Sequence, residues 1–154
     1  MYYYIMGIKQ ILFWIFVVAI AIVLWNLLGS LPQNEILIYF SKQELRIYAE
    51  VADSDTEREK GLMERSFLEQ DRGMFFIFDV EAPQSFWMKN TKIPLDIIFI
   101  SGEKKVVDIK EGFQPCRSDI CEIYTSRVPA KYALEINAGL SQKHGVLIGD
   151  MLNF

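Results

Sequence analysis

Two cysteines, one histidine and five prolines are all that this chain carries of those residues. A closed zinc site takes four ligands, which two Cys and one His cannot supply, so neither a metal nor any other cofactor is expected. His144 stands in the polar stretch Gln142-Lys143-His144-Gly145 and reads as a surface residue at a helix end. Met63, Met74 and Met88 raise the thought of copper, but Met interleaved with Phe and Leu is the usual filling of an apolar core. Missing too are a glycine-rich phosphate loop, His-Glu-x-x-His and Gly-x-Ser-x-Gly, with the nucleotide, metalloprotease and hydrolase chemistries they announce. No basic cluster is present. Of 16 basic residues only Lys9 precedes the 20 acidic ones, and the remainder of the chain carries a balance of −5. Such a surface does not follow a phosphate backbone, so nucleic acid is not expected as a partner.

What the chain does have is one long apolar run. Residues 11–28 read ILFWIFVVAIAIVLWNLL, without a charge and with Asn26 as the only polar side chain. As a helix this run measures roughly 27 Å, close to the roughly 30 Å hydrocarbon core of a bilayer. Tyr2, Tyr3 and Tyr4 precede it and Trp25 lies at its end, the interfacial placement of aromatics. The expected organisation is a cytoplasmic N-terminus at residues 1–10, a transmembrane anchor at 11–28, a linker at 29–35 carrying Pro32, and an extracytoplasmic domain at 36–154. Orientation rests on Lys9 and the terminal amine through the positive-inside tendency. The rival is secretion after signal cleavage. Against it, the run exceeds the usual core of about 7–15 residues, and Leu27 or Leu28 stands where a small residue is wanted.

Beyond the linker the pattern is mainly extended. Over residues 44–51, Leu45, Ile47, Ala49 and Val51 alternate with Arg46, Tyr48 and Glu50, the two-residue period of a half-buried strand. Ser54-Asp55-Thr56-Glu57 has the form of a capping box and predicts a short helix to about Leu62, and Ser66 to Glu69 predicts a second helical turn. After a break at Arg72-Gly73, short strands are predicted at 74–78, 85–88, 95–100, 105–109 and 132–136, a helical turn at 140–144 and a last strand at 151–154. No internal repeat is evident.

Gly61-Leu62-Met63 with Arg65, GMFFIF from Gly73, FWMKNTKIPLDIIFI from Phe86, Pro115-Cys116, Cys121 with Tyr124, the stretch 129–139 and Ile148-Gly149-Asp150 occur in a familiar order. Over residues 44–152 the chain resembles the family called domain of unknown function 192. The resemblance implies a compact, mainly β domain of sandwich or jelly-roll-like character, often secreted or membrane-attached; the capping signals add one or two short helices, and the apolar run the single N-terminal transmembrane helix that precedes it. It implies no activity.

The candidate polar cluster is Lys89, Asn90, Thr91, Asp96 and Glu135. Lys89, Asn90 and Thr91 follow an aromatic pair, where Lys89 could meet a carboxylate and the other two a ligand; alternatively Phe86, Trp87 and Met88 are core and Asn90-Thr91 a turn. Asp96 has apolar neighbours on both sides and needs a partner, which Lys89 would provide as an ion pair. Glu135 alternates with Leu134 and Ile136 and is expected on a wetter face. Cys116 and Cys121, with four residues between them, are expected to form a disulfide in an oxidising compartment. Two function classes follow. The first is a non-catalytic binding or interaction module at the cell envelope, tied to the membrane by residues 11–28 and serving an unknown envelope ligand or protein partner. The second is a small envelope hydrolase with Asp96 and Glu135 as acid and base and Lys89 as their tuning cation.

Overall fold

The structure is a computed structural model that describes residues 2–28, 34–118 and 120–154. It forms two units, Met1–Gln33 and Asn34–Phe154. The first contains helix α1, Tyr2–Leu28, 27 residues long and uninterrupted by proline. Among the described residues no helix is long and apolar enough to cross a membrane. Described side chains of α1 run over residues 10–22, about 20 Å of helix. Side chains 23–28 of the expected span, and residues 29–33 of the expected linker, lie outside the described residues.

The second unit is built on a six-stranded mixed sheet. Its strands are β1 (Glu35–Phe40), β2 (Leu45–Ala52), β3 (Arg72–Ala82), β5 (Leu95–Ile100), β6 (Val106–Phe113) and β8 (Ala130–Asn137), in the order β1-β2-β3-β8-β5-β6. Strands β4 (Ser85–Trp87) and β7 (Ile123–Thr125) pair separately, with Trp87 opposite Ile123. Helices α2 (Asp55–Lys60) and α3 (Leu140–His144) complete the unit. This is mainly β with a mixed sheet, unlike an all-antiparallel jelly roll: one large sheet dominates, and β2 and β3 run parallel, joined by a crossover that contains α2. A parallel pair needs such a crossover because a hairpin turn cannot link it.

Both faces of the sheet are buried. One packs Ile47, Phe75, Ile98, Leu134 and Ile136 with the α3 region and Leu152. The other packs Phe76, Ile97, Phe99 and Ala133 with Leu62, Phe86 and Met88. Burial on both sides explains why β5 is buried at all six positions and shows no polar alternation.

Local chemistry sets the element ends. Ser54 and Glu57 close the expected capping box, and α2 ends at Lys60 because Gly61 leaves the helical region with φ 47° and ψ −137°. The helical turn expected at Ser66 to Glu69 is irregular chain: Leu68 is buried, and Asn137 Nδ2 donates to the carbonyls of Leu68 and Glu69. Gly73 is no break but part of β3, where a Cβ would stand 2.6 Å from the Glu135 carbonyl oxygen. Residues 151–154 form isolated bridges, Lys105 with Met151 and Tyr39 with Asn153, instead of a strand. Glu35, assigned to the linker, opens β1. Cys116 and Cys121 form the expected disulfide, with Cα atoms 5.5 Å apart.

Candidate functional site

Glu135 is the unusual residue of this fold. Its register partners are Met74 on β3 and Ile97 on β5, so it shares their face, the one covered by Phe86 and Leu62. That face is dry rather than wet: Glu135 is 5% exposed, and its Oε2 is buried without a hydrogen-bond partner among the described residues. Burial alone pushes the carboxyl from the ordinary 4.5 up to about 8, because an apolar surrounding disfavours the charged form. At neutral pH the group is mostly a neutral acid.

Above it opens a cavity of about 240 Å³. The capping box sets where α2 stops, and the chain then turns through Gly61, whose hypothetical Cβ would lie 3.8 Å from Glu135 Oε2 and 3.5 Å from the Phe76 ring. A side chain there would enter the space over the carboxyl, and the positive φ would strain it. Phe76 and Phe78, two apart on β3, supply one wall and Phe86 the next, edge-on to Phe76 at 5.0 Å and to Phe78 at 6.2 Å. Trp87 and Thr91 also line the cavity. Arg58 holds the α2 side in place: its guanidinium donates to the Asp53 and Ile77 carbonyls, pairs with Asp55 at 2.6 Å and lies over Phe78.

The five polar residues singled out in the sequence do not form one cluster. Thr91 and Glu135 share the cavity. Lys89 and Asn90 border an adjoining depression, Lys89 with its ammonium 5.0 Å from the Trp87 ring centre. Asn90 sits at φ 56°, a left-handed position that Asn tolerates, within the turn closed by Thr91 N–H donating to the Met88 carbonyl. Phe86 and Met88 are core, whereas Trp87 is 39% exposed. Asp96 lies elsewhere. Opposite Ile136, it points to the other face of the sheet from Glu135. Its partner is not Lys89: Gly112 N–H donates to Oδ1 at 2.8 Å, and Ser141 N–H and Oγ donate to Oδ2 at 3.1 and 2.6 Å. The sheet therefore separates the acid from the base that a two-carboxyl mechanism would need.

Another buried carboxyl, that of Asp108, was not singled out in the sequence. Asp108 on β6 accepts from Tyr124 Oη at 2.9 Å, from Arg127 N–H at 2.8 Å and from the Arg127 guanidinium. Burial acts to raise its pKa, yet these donors outweigh it and hold the carboxyl below the usual range. It ties β6 to β7 and to the turn before β8. Its only signal in the sequence was an acid between apolar neighbours. Of the aromatic walls, the Phe86-Trp87 pair was visible in the sequence, whereas its meeting with Phe76 and Phe78 arises only through the tertiary fold. Among the described residues no group of three or more His, Cys, Asp or Glu is placed to hold a metal.

The profile of domain of unknown function 192, described as an uncharacterised ACR, matches residues 38–154. A crystal structure of a protein of unknown function from Novosphingobium aromaticivorans is 31% identical, with a TM-score of 0.70 over 78% of this chain and 85% of that one. One of a proposed transcription regulator from Sinorhizobium meliloti is 36% identical, with a TM-score of 0.70 over 77% of this chain and 91% of that one. No curated protein matches the chain. The profile match and the two structures agree with the order of motifs in the sequence, and the chain belongs to the family of domain of unknown function 192.

Proposed function

We propose that the chain is a non-catalytic ligand-binding module of the cell envelope, with the cavity above Glu135 as its binding site. One observation carries this reading: a buried carboxyl oxygen without a partner among the described residues faces a cavity walled by aromatic rings. An orphaned polar group in an apolar surrounding costs about 1–3 kcal/mol, which an apolar residue would not. A group kept at that cost in a concave site marks a binding position. The hydrolase reading lacks this support, since Asp96 is engaged by three donors on the opposite face and Lys89 rests on Trp87.

Attachment to the membrane through residues 11–28 belongs to the same proposal. The uncharged run and the 27-residue helix α1 support it, as does the exposure of Phe13, Trp14 and Phe16 along that helix. The N-terminus is then cytoplasmic and the domain outside, where Cys116 and Cys121 can oxidise.

Native mass spectrometry of the full chain, exported by its own source cells and isolated without reductant or chelator, tests the binding site. The expected result is an extra mass on the wild type that is lost in Glu135→Leu, with the variant melting higher than the ligand-free wild type. An unchanged extra mass in Glu135→Leu would remove the cavity from the function.

A further inference from the structure

We propose that the cavity binds a small organic ammonium ion, with Glu135 as its counter-ion and Phe76, Phe78, Phe86 and Trp87 as its walls. This deepens the binding reading above and rests on it.

The donor and acceptor inventory narrows the ligand. Ser85 Oγ is taken by Thr125 Oγ1 at 2.8 Å, and Thr91 Oγ1 has one long contact, 3.5 Å, to the Lys89 carbonyl. Glu135 and Thr91 are thus the buried polar side chains left for a bound molecule, with Glu59 and Lys60 on the exposed α2 side of the cavity. A sugar would bury more hydroxyls among these rings than two groups can satisfy, and each unsatisfied one is costly. A cation with a greasy body suits both components, because ring faces attract positive charge and a carboxylate completes the pair. The protein already uses two of these rings in that way: Arg58 lies 5.9 Å from the Phe78 ring centre and Lys89 5.0 Å from that of Trp87.

The neighbouring charges leave room for such a guest. α2 contributes Arg58, Glu59 and Lys60 to the cavity lining; Arg58 is paired with Asp55, and Glu59 and Lys60 are exposed to solvent. β3, β4 and β5 face Glu135 with Met74, Phe76, Phe86 and Ile97. Binding is an exchange of one cation for one proton: the neutral carboxyl releases its proton to water as the ammonium enters, and the ion pair forms in the cavity. With the carboxyl titrating at about 8, ionising it at pH 7 costs only about a factor of ten in population.

Choline and tetramethylammonium are suitable probes because their charge is the same at every pH. They would be titrated calorimetrically into the full chain in a neutral polyoxyethylene detergent, with glucose as a neutral control. Affinity for choline should rise about ninefold from pH 6 to 7, about fivefold from pH 7 to 8, and less than twofold from pH 8 to 9. Glu135→Gln, checked for an intact melting transition, should lose at least about tenfold in affinity at pH 8 and the pH dependence with it. Glucose binding without choline binding, or choline binding that ignores pH in the wild type, would overturn the ammonium assignment and leave the binding site standing. No binding of any probe overturns the assignment as well, and an unchanged extra mass in Glu135→Leu would then remove the binding site itself.

Discussion

Glu135 and Asp96 are register neighbours of the same strand pair, yet they point to opposite faces of the sheet. Glu135 is held neutral to about 8 by burial, whereas in the unfolded chain it ionises near 4.5. The folded state therefore binds one more proton between those values. Stability from this group is greatest below about pH 4.5 and declines, on the order of 1 kcal/mol per pH unit, as pH rises toward 8. Urea denaturation between about pH 5 and 8 should show that decline in the ligand-free wild type and a flat line in Glu135→Gln. Asp108 acts with the opposite sign: its lowered pKa gives stability above the unfolded value, which is lost as pH falls through the folded one. For Asp96 the relevant test is substitution. Asp96→Ala leaves the Gly112 and Ser141 donors without an acceptor and should cost about 2–4 kcal/mol, while Lys89→Met should stay within about 0.5 kcal/mol. Equal losses in the two variants would restore the ion pair expected from the sequence. The burial of Asp96 was legible because apolar residues flank it; its partners were not, since Gly112 and Ser141 reach it only through pairing across the sheet.

Elements were legible where local chemistry decides them. Ser54 and Glu57 carry their helix start within four residues, so Ser54→Ala should cost about 1 kcal/mol, read as a lower melting temperature. The disulfide was equally local, and its removal in Cys116→Ser/Cys121→Ser should cost roughly 2 kcal/mol by chain entropy, measured as a shifted denaturation midpoint. The strand core of β5 was visible as an apolar run. What escaped were elements whose conformation is decided by distant contacts. Ser66 to Glu69 has the letters of a cap, but the helix loses to an arrangement in which Leu68 is buried and Asn137 binds two carbonyls. Gly73 has the letter of a break, but it is a strand residue because the Glu135 backbone passes too close for a side chain. β7 is three residues long and defined only by its pairing with β4.

At the scale of the molecule, the mainly β character of residues 34–154 was legible and the layout of the sheet was not. A sequence of short strands does not say which run parallel, and the β2–β3 pair decides against a jelly roll. Protease added outside intact cells should degrade the 36–154 domain while leaving an N-terminal remnant in the membrane; full protection of that domain would place it in the cytoplasm. The sheet order has a further consequence for how the chain acquires its shape. β8 fills the gap between β3 and β5, although it is made after both. Until residues 130–137 arrive, the inner edges of two apolar strands have nothing to pair with. Folding must therefore wait for nearly the whole domain to emerge, and an arrested chain ending before Ala130 would present two open strand edges to any neighbour, the condition under which chains aggregate.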